Sequence, residues 1–152
     1  MKWFLSLAGV GLFLTYWRVR LSDAQLILAR TLYGEARGEG RGGMEAVAAV
    51  IINRAAIGGW WGDSIISVAQ KPWQFSTWND NDPNRVLIND LKPGEGDLFF
   101  DLAYEIAGDA ISGTDDPTGG ATHYHALSVN PAWDDEMVNT ANIGQHKFYK
   151  VA

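Results

Sequence analysis

The run Ala46-Val47-Ala48-Ala49-Val50-Ile51-Ile52 is apolar on nearly every side of a helix. A helix from Met44 to about Ala56 built on that run has no polar face to turn toward water, so the rest of the chain must wrap around it. It is too short to cross a membrane, which takes about 20 apolar residues. A fold organised around one buried central helix follows. The chain has 152 residues, which suits a single domain burying about two-thirds of its unfolded surface. There is no cysteine. Disulfides, thiolate metal sites and cysteine nucleophiles are excluded, and stability must come from packing.

Around the central helix the spacing predicts further elements. Ser22 can cap a helix over Asp23 to about Ala36, whose apolar positions Leu26, Ala29, Leu32, Tyr33 and Ala36 recur at helical intervals. Gly38 to Gly43 reads as a loop, Gly58 and Gly59 end the central helix, and Asp63 to Gln70 can form a short third one. From Lys71 to Pro93 the chain is rich in Pro, Asn, Asp and Trp, which predicts a long ordered loop of the kind that carries function. Gly96 to Ser112 returns to helical spacing through Leu98, Leu102, Ile106 and Ile111, and Asp115 to Gly120 is a turn. Ala121 to Leu127 and His146 to Val151 have strand-like content and can pair beside the helices.

The net charge is −6, and without its first 21 residues the chain would carry nine basic against eighteen acidic residues. That balance argues against a nucleic-acid partner. Trp3 to Trp17 is uncharged and flanked by Lys2, Arg18 and Arg20. As a helix it would reach about 22 Å, short of the ~30 Å hydrocarbon core, with aromatic ends suited to an interface. Residues 1–21 therefore read as an apolar signal or anchor segment that would associate with an inner membrane, and 22–152 as the functional domain. The rival reading of the segment is a buried or amphipathic helix. Seven tryptophans in so short a chain suit the apolar faces of sugars as well as a core.

In Leu32-Tyr33-Gly34-Glu35-Ala36-Arg37-Gly38-Glu39 an acid stands at the end of an apolar helical run. There the helix dipole disfavours a carboxylate and favours the protonated form, so Glu35 could serve as a general acid near neutral pH. The plain alternative is that Glu35, Arg37, Glu39 and Arg41 form a solvated charge run.

Tyr33-Gly34-Glu35-Ala36-Arg37-Gly38-Glu39, followed by Val47 to Arg54, resembles the SleB-type cell wall hydrolases, the family of the spore cortex-lytic enzymes. Gln74-Phe75-Ser76, Asp116 to Ala121, His123-Tyr124-His125 and Ile143 to Tyr149 follow in the family's order, so that the likeness covers residues 23 to 151. The resemblance implies an α+β fold, a mainly helical lysozyme-like single domain with a small sheet. It also implies action on peptidoglycan glycan strands as a lytic transglycosylase, without a catalytic metal or other cofactor. Glu35 would be the catalytic acid, protonating the bridging oxygen of the β-1,4 bond between N-acetylmuramic acid and N-acetylglucosamine. As carboxylate it would then accept the proton of the muramoyl C6 hydroxyl as the 1,6-anhydro ring closes. Family relatives carry Tyr or Phe where His stands here around residues 123–125.

A hydrolytic muramidase would instead need a second carboxylate, about 5 Å from the first if retaining or roughly 6.5–9.5 Å if inverting. Glu39, Asp116, Asp134 and Asp135 are the candidates, with Glu39 favoured as a structural partner of Arg37 or Arg41. Gln74, Phe75 and Trp78, with Trp73 beside them, could line a sugar groove or cap the core. His123 and His125 face one side of a strand and Tyr124 the other. Any of the three could orient Glu35 or bond the sugar, and Tyr149 could bond Glu35 or a substrate hydroxyl. With His146 and Glu35 the two histidines could also hold zinc for a peptidoglycan amidase or peptidase. A noncatalytic wall-binding module is the remaining rival. The expected setting is the cell envelope or periplasm, tethered by residues 3–17. If the protein is a phage endolysin, that is the host periplasm.

Overall fold

The computed structural model describes residues 7–152, with side chains described from residue 22 onward. The first helix, α1, runs Leu7–Ala36 and is followed by α2 (Gly40–Ile57), α3 (Ile65–Ala69), α4 (Asn84–Asp90) and α5 (Leu98–Ser112). Three strands complete the chain: β1 (His123–Ala126), β2 (Met137–Ile143) and β3 (His146–Val151). They form one antiparallel sheet in the order β1-β3-β2. The fold is α+β and mainly helical, as expected.

The apolar run of α2 is at the centre: Ala46, Val47, Ala48, Val50 and Ile51 are buried. One face of α2 meets Leu28, Leu32 and Tyr33 of α1 and Phe100, Ile106 and Ala107 of α5 in the main core. The opposite face, through Ala46 and Val50, packs on Ala121 and Phe148 of the sheet side. Each fully buried large apolar side chain contributes roughly 1.5–3 kcal/mol relative to exposure. Asp97 caps α5 by accepting from Phe99 N and Phe100 N, and it also accepts the Tyr33 hydroxyl at 2.8 Å, tying α5 to α1.

Four boundaries differ from the sequence reading. The first helix runs straight through Ser22, so Ser22 is an interior residue and not a cap. The second begins at Gly40 after a single 3₁₀ turn, Arg37–Glu39, where the glycines had suggested a loop. Gly43 is needed within it because a Cβ there would come within 2.2 Å of the Glu39 Cβ. The expected loop from 71 to 93 contains a 3₁₀ turn, Ser76–Trp78, and α4. β2 was not anticipated, and β3 pairs with both β1 and β2.

The expected leader, residues 1–21, lies outside the described side chains. Among the described residues, no helix is long and apolar enough to cross a membrane.

Candidate active site

Glu35 sits in the last turn of α1, half-buried, where the 3₁₀ turn Ser76–Trp78 closes over it. The Thr77 backbone N–H donates to Glu35 Oε1 at 2.8 Å and the Ser76 hydroxyl donates to the same oxygen at 3.2 Å. With both donors on Oε1, Oε2 is the oxygen left to carry a proton. Burial pushes the Glu35 pKa above its ordinary value, with the nearby Asp82 charge adding to the shift, and the Thr77 and Ser76 hydrogen bonds oppose it without cancelling it.

The close approach of α1 to that turn depends on Gly34. A Cβ at this position would fall 2.0 Å from Thr77 Oγ1 and 2.6 Å from Thr77 Cβ. The glycine preceding the acid is therefore a packing requirement of the site.

Beneath the turn lies Arg54, a buried residue of α2. Its Nε donates to Thr122 O at 2.7 Å and its guanidinium donates to Gln74 Oε1 at 3.1 Å, while its charge lies over the rings of Trp61 and Phe75. Burial lowers its pKa to about 10, against a favourable interaction with Tyr124. Gln74 is thereby held at both ends of its amide, since its Nε2 donates to Trp61 O at 2.9 Å. Helix α2, the 74–78 segment and the start of β1 are joined at one side chain.

The predicted residues divide between the two faces of the sheet. Tyr124 points toward the helices, stacked on Phe148 with ring centroids 5.5 Å apart. Its hydroxyl is close enough to Glu35 and Arg54 to feel both charges, and burial raises its pKa so that it remains a donor. His123 and His125 occupy the opposite face. His123 lies edge-on to Trp61 at 5.1 Å and near Trp133 at 5.4 Å, extending an aromatic wall from Arg54. Tyr149 is paired not with Glu35 but with His125 Nε2, at 3.1 Å, and Asp134, at 3.4 Å, with its ring stacked on His125. Phe75 is 1% exposed and belongs to the core. Trp78 donates its indole N–H to Thr31 Oγ1 at 2.9 Å and packs against that core.

Three of the four candidate second carboxylates are committed elsewhere, and the fourth, Asp135, is exposed. Glu39 accepts from Gln145 N at 2.9 Å and so fastens the β2–β3 turn to the α1–α2 junction. The expected partners of Glu39 are engaged otherwise: Arg37 donates to Tyr33 O and Asn84, and Arg41 bonds Glu45 and Glu105. Asp116 accepts from Asn53, Thr118 and Gly120, and these bonds hold its pKa down although burial works against them. It borders a cleft of about 530 Å³ between α2 and α5 that contains none of the Glu35 partners. Asp134 is the third member of the His125–Tyr149 cluster. Among the described residues, no three His, Asp or Glu side chains are grouped so as to hold a metal ion.

Arg54, Ser76, Thr77 and Trp61 went unassigned in the sequence reading, and Asp134 was named there only as a candidate second carboxylate. Arg54 and Ser76 stand inside the blocks that carried the resemblance, which was the available signal. Thr77 acts through its backbone and so had none, and the pairing of Asp134 with His125 and Tyr149 depends on the fold of the 127–136 segment.

A helical body bearing a small antiparallel sheet, with a half-buried carboxyl at their junction, is the arrangement of lysozyme-like catalytic domains. The chain belongs to the cell wall hydrolase family, whose model matches residues 38–149. It is 34% identical over 131 residues to a spore cortex-lytic enzyme of Halalkalibacterium halodurans, covering 84% of this chain and 34% of that protein. A spore cortex-lytic enzyme of Oceanobacillus iheyensis is 35% identical over 132 residues, covering 85% of this chain and 42% of the relative. The chain thus spans only about a third to two-fifths of these relatives. Among solved structures, the catalytic domain of the germination-specific lytic transglycosylase SleB from Bacillus anthracis superposes with a TM-score of 0.65 at 32% identity, covering 85% of this chain and 94% of that one. The catalytic domain of the Bacillus cereus SleB protein gives the same score and identity, covering 90% of its chain.

Proposed function

We propose that this protein degrades peptidoglycan, cleaving the β-1,4 bond between N-acetylmuramic acid and N-acetylglucosamine as a lytic transglycosylase. The observation that carries the reading is the Glu35 carboxyl, with Oε1 pinned by Thr77 and Ser76, Oε2 unclaimed and its pKa raised by burial. The family model's match begins just after Glu35, so this residue's role rests on its geometry and on the sequence block around it. A protonated Oε2 donates to the bridging oxygen as the glycosidic bond breaks. The resulting carboxylate accepts the proton of the muramoyl C6 hydroxyl, whose oxygen bonds to C1 and closes the 1,6-anhydro ring. No water is consumed, and one carboxyl suffices. The commitment of Glu39, Asp116 and Asp134 to structural hydrogen bonds supports this route over hydrolysis, which needs a second carboxylate beside the sugar.

Tyr124, protonated and within reach of the Glu35 charge, would donate to the substrate or to the carboxylate formed after the first transfer. His123, with Trp61 and Trp133, would line the groove, and Gln74, Phe75 and Trp78 would support its floor. His125 and Tyr149 would hold β1 and β3 in register beneath it. The likeness to a germination-specific lytic transglycosylase and to two spore cortex-lytic enzymes supports a wall glycan as substrate. The site of action would be the cell envelope, with residues 22–152 as the catalytic unit. Tethering by residues 3–17 and a phage-lysis role belong to the same proposal. Glu35→Gln should reduce release of soluble glycan from purified peptidoglycan to background while leaving the circular dichroism spectrum unchanged. Retained release by a folded variant would overturn the assignment.

A further inference from the structure

Trp73 is the only non-glycine residue among those described with a positive φ, at 68°. A bulky side chain meets steric resistance in that region, and residues held there against their preference concentrate at ligand sites. The ring is nevertheless 82% exposed, so core packing is not what the conformation serves. Instead the backbone is held by a local bond, Trp73 N donating to Asn79 Oδ1 at 3.3 Å. The strained turn projects an indole into solvent beside a cleft of about 570 Å³.

That cleft is lined by Trp73, Trp78, Asn79, Asn81 and Arg85, among others. Its far side is stiff. Arg85 bonds Trp78 O and pairs with Asp80 at 3.0 Å, and the Trp78 indole is fixed on Thr31. Asn79 uses its carbonyl on Trp73, which leaves its amide N–H₂ as a donor for a ligand. An exposed aromatic face opposite a side-chain amide suits an N-acetylhexosamine, with the apolar pyranose face on the ring and the N-acetyl group on the amide. The cleft shares Trp78 with the turn that closes over Glu35. Trp73 stands three positions before Ser76, which binds Glu35, a reach of at most about 11 Å. One or two sugar rings would bridge it.

We propose that Trp73, with Asn79, forms a glycan subsite remote from the scissile bond, which binds a further N-acetylhexosamine of the same strand and makes long strands better substrates than short ones. This rests on the reading of Glu35 as a glycan-cleaving acid. Trp73→Gly is the informative variant, because glycine accepts φ = 68° freely and the change should leave the melting temperature at or above that of the wild type. On peptide-free peptidoglycan strands it should lower kcat/KM roughly tenfold, through KM. On the shortest fragment that the wild type cleaves it should have no effect, and Trp73→Phe should keep most of the long-strand activity. A parallel measurement compares Glu35→Gln with Glu35→Gln/Trp73→Gly for cosedimentation with insoluble peptidoglycan, and the double variant should bind more weakly. Unchanged kcat/KM on long strands, or a lowered melting temperature, would overturn the subsite and leave the Glu35 reading intact. A wild type that neither binds nor cleaves peptidoglycan would overturn both.

Discussion

At the scale of single residues, the arrangement around Glu35 explains how one carboxyl can serve as acid and then base. Its neighbours bond one oxygen and leave the other to carry the proton, and burial raises the pKa above that of an exposed glutamate. Because the acid is needed in its protonated form, kcat/KM should fall as pH rises through a pKa above the ordinary 4.5. The same shift has a consequence for folding. The folded state favours the proton, so the stability this group contributes is present at low pH and is lost as pH rises through the folded pKa. Denaturation of Glu35→Gln across that range should show a variant that gains on the wild type with increasing pH. A wild-type activity limb at the ordinary glutamate pKa would contradict both expectations. The place of Glu35 at the end of an apolar helical run was legible in sequence, but the burial that raises its pKa comes with the Ser76–Trp78 turn, which was not. Arg54 was not: an arginine in a helix is ordinarily a surface residue, and only the meeting of three segments above it makes it an interior one.

At the scale of elements, the site depends on how closely the end of α1 meets the Ser76–Trp78 turn. Gly34→Ala forces a Cβ onto the Thr77 side chain, so the turn must move off Glu35 or the helix must shift. A cost of about 1–3 kcal/mol in chemical denaturation is expected, with a loss of activity larger than the stability change alone produces. An alanine variant with wild-type stability and turnover would show that the contact is unimportant. The helices α1 and α5, with their apolar periodicity, and α2, with its continuous apolar run, were readable, as were the two strands rich in aromatic residues. β2 was missed because Val138, Asn139 and Asn142 are exposed and its register is broken by a bulge between Asn139 and Ala141. Its pairing is secured by side chains, Asn139 Nδ2 and Thr140 Oγ1 both donating to Phe148 O, which no alternation of hydrophobicity announces. α4 was hidden by the Asn, Asp and Pro around it. It forms because Asp82 Oδ1 accepts from Asn84 N at its first turn and Ile88 is buried in the core.

At the scale of the whole molecule, helical body and sheet are joined across α2, and the buried guanidinium of Arg54 is the polar part of that joint. Arg54→Ala should cost roughly 2–4 kcal/mol, because it strands Thr122 O and Gln74 Oε1 and opens a cavity between Trp61 and Phe75. Arg54→Lys should recover little of this, since one ammonium cannot reproduce a planar group that bonds in two directions and stacks on two rings. Full recovery by lysine in thermal melts would mean that charge alone matters there. The central claim concerns what the assembled molecule does to a glycan, and the products carry the answer. Mass spectrometry of the material released from purified peptidoglycan, with wild type and Glu35→Gln side by side, tests it most directly. The account predicts 1,6-anhydromuramoyl ends with the wild type and none with the variant. Reducing ends would contradict the single-carboxyl mechanism, and free stem peptides would contradict cleavage of the glycan altogether.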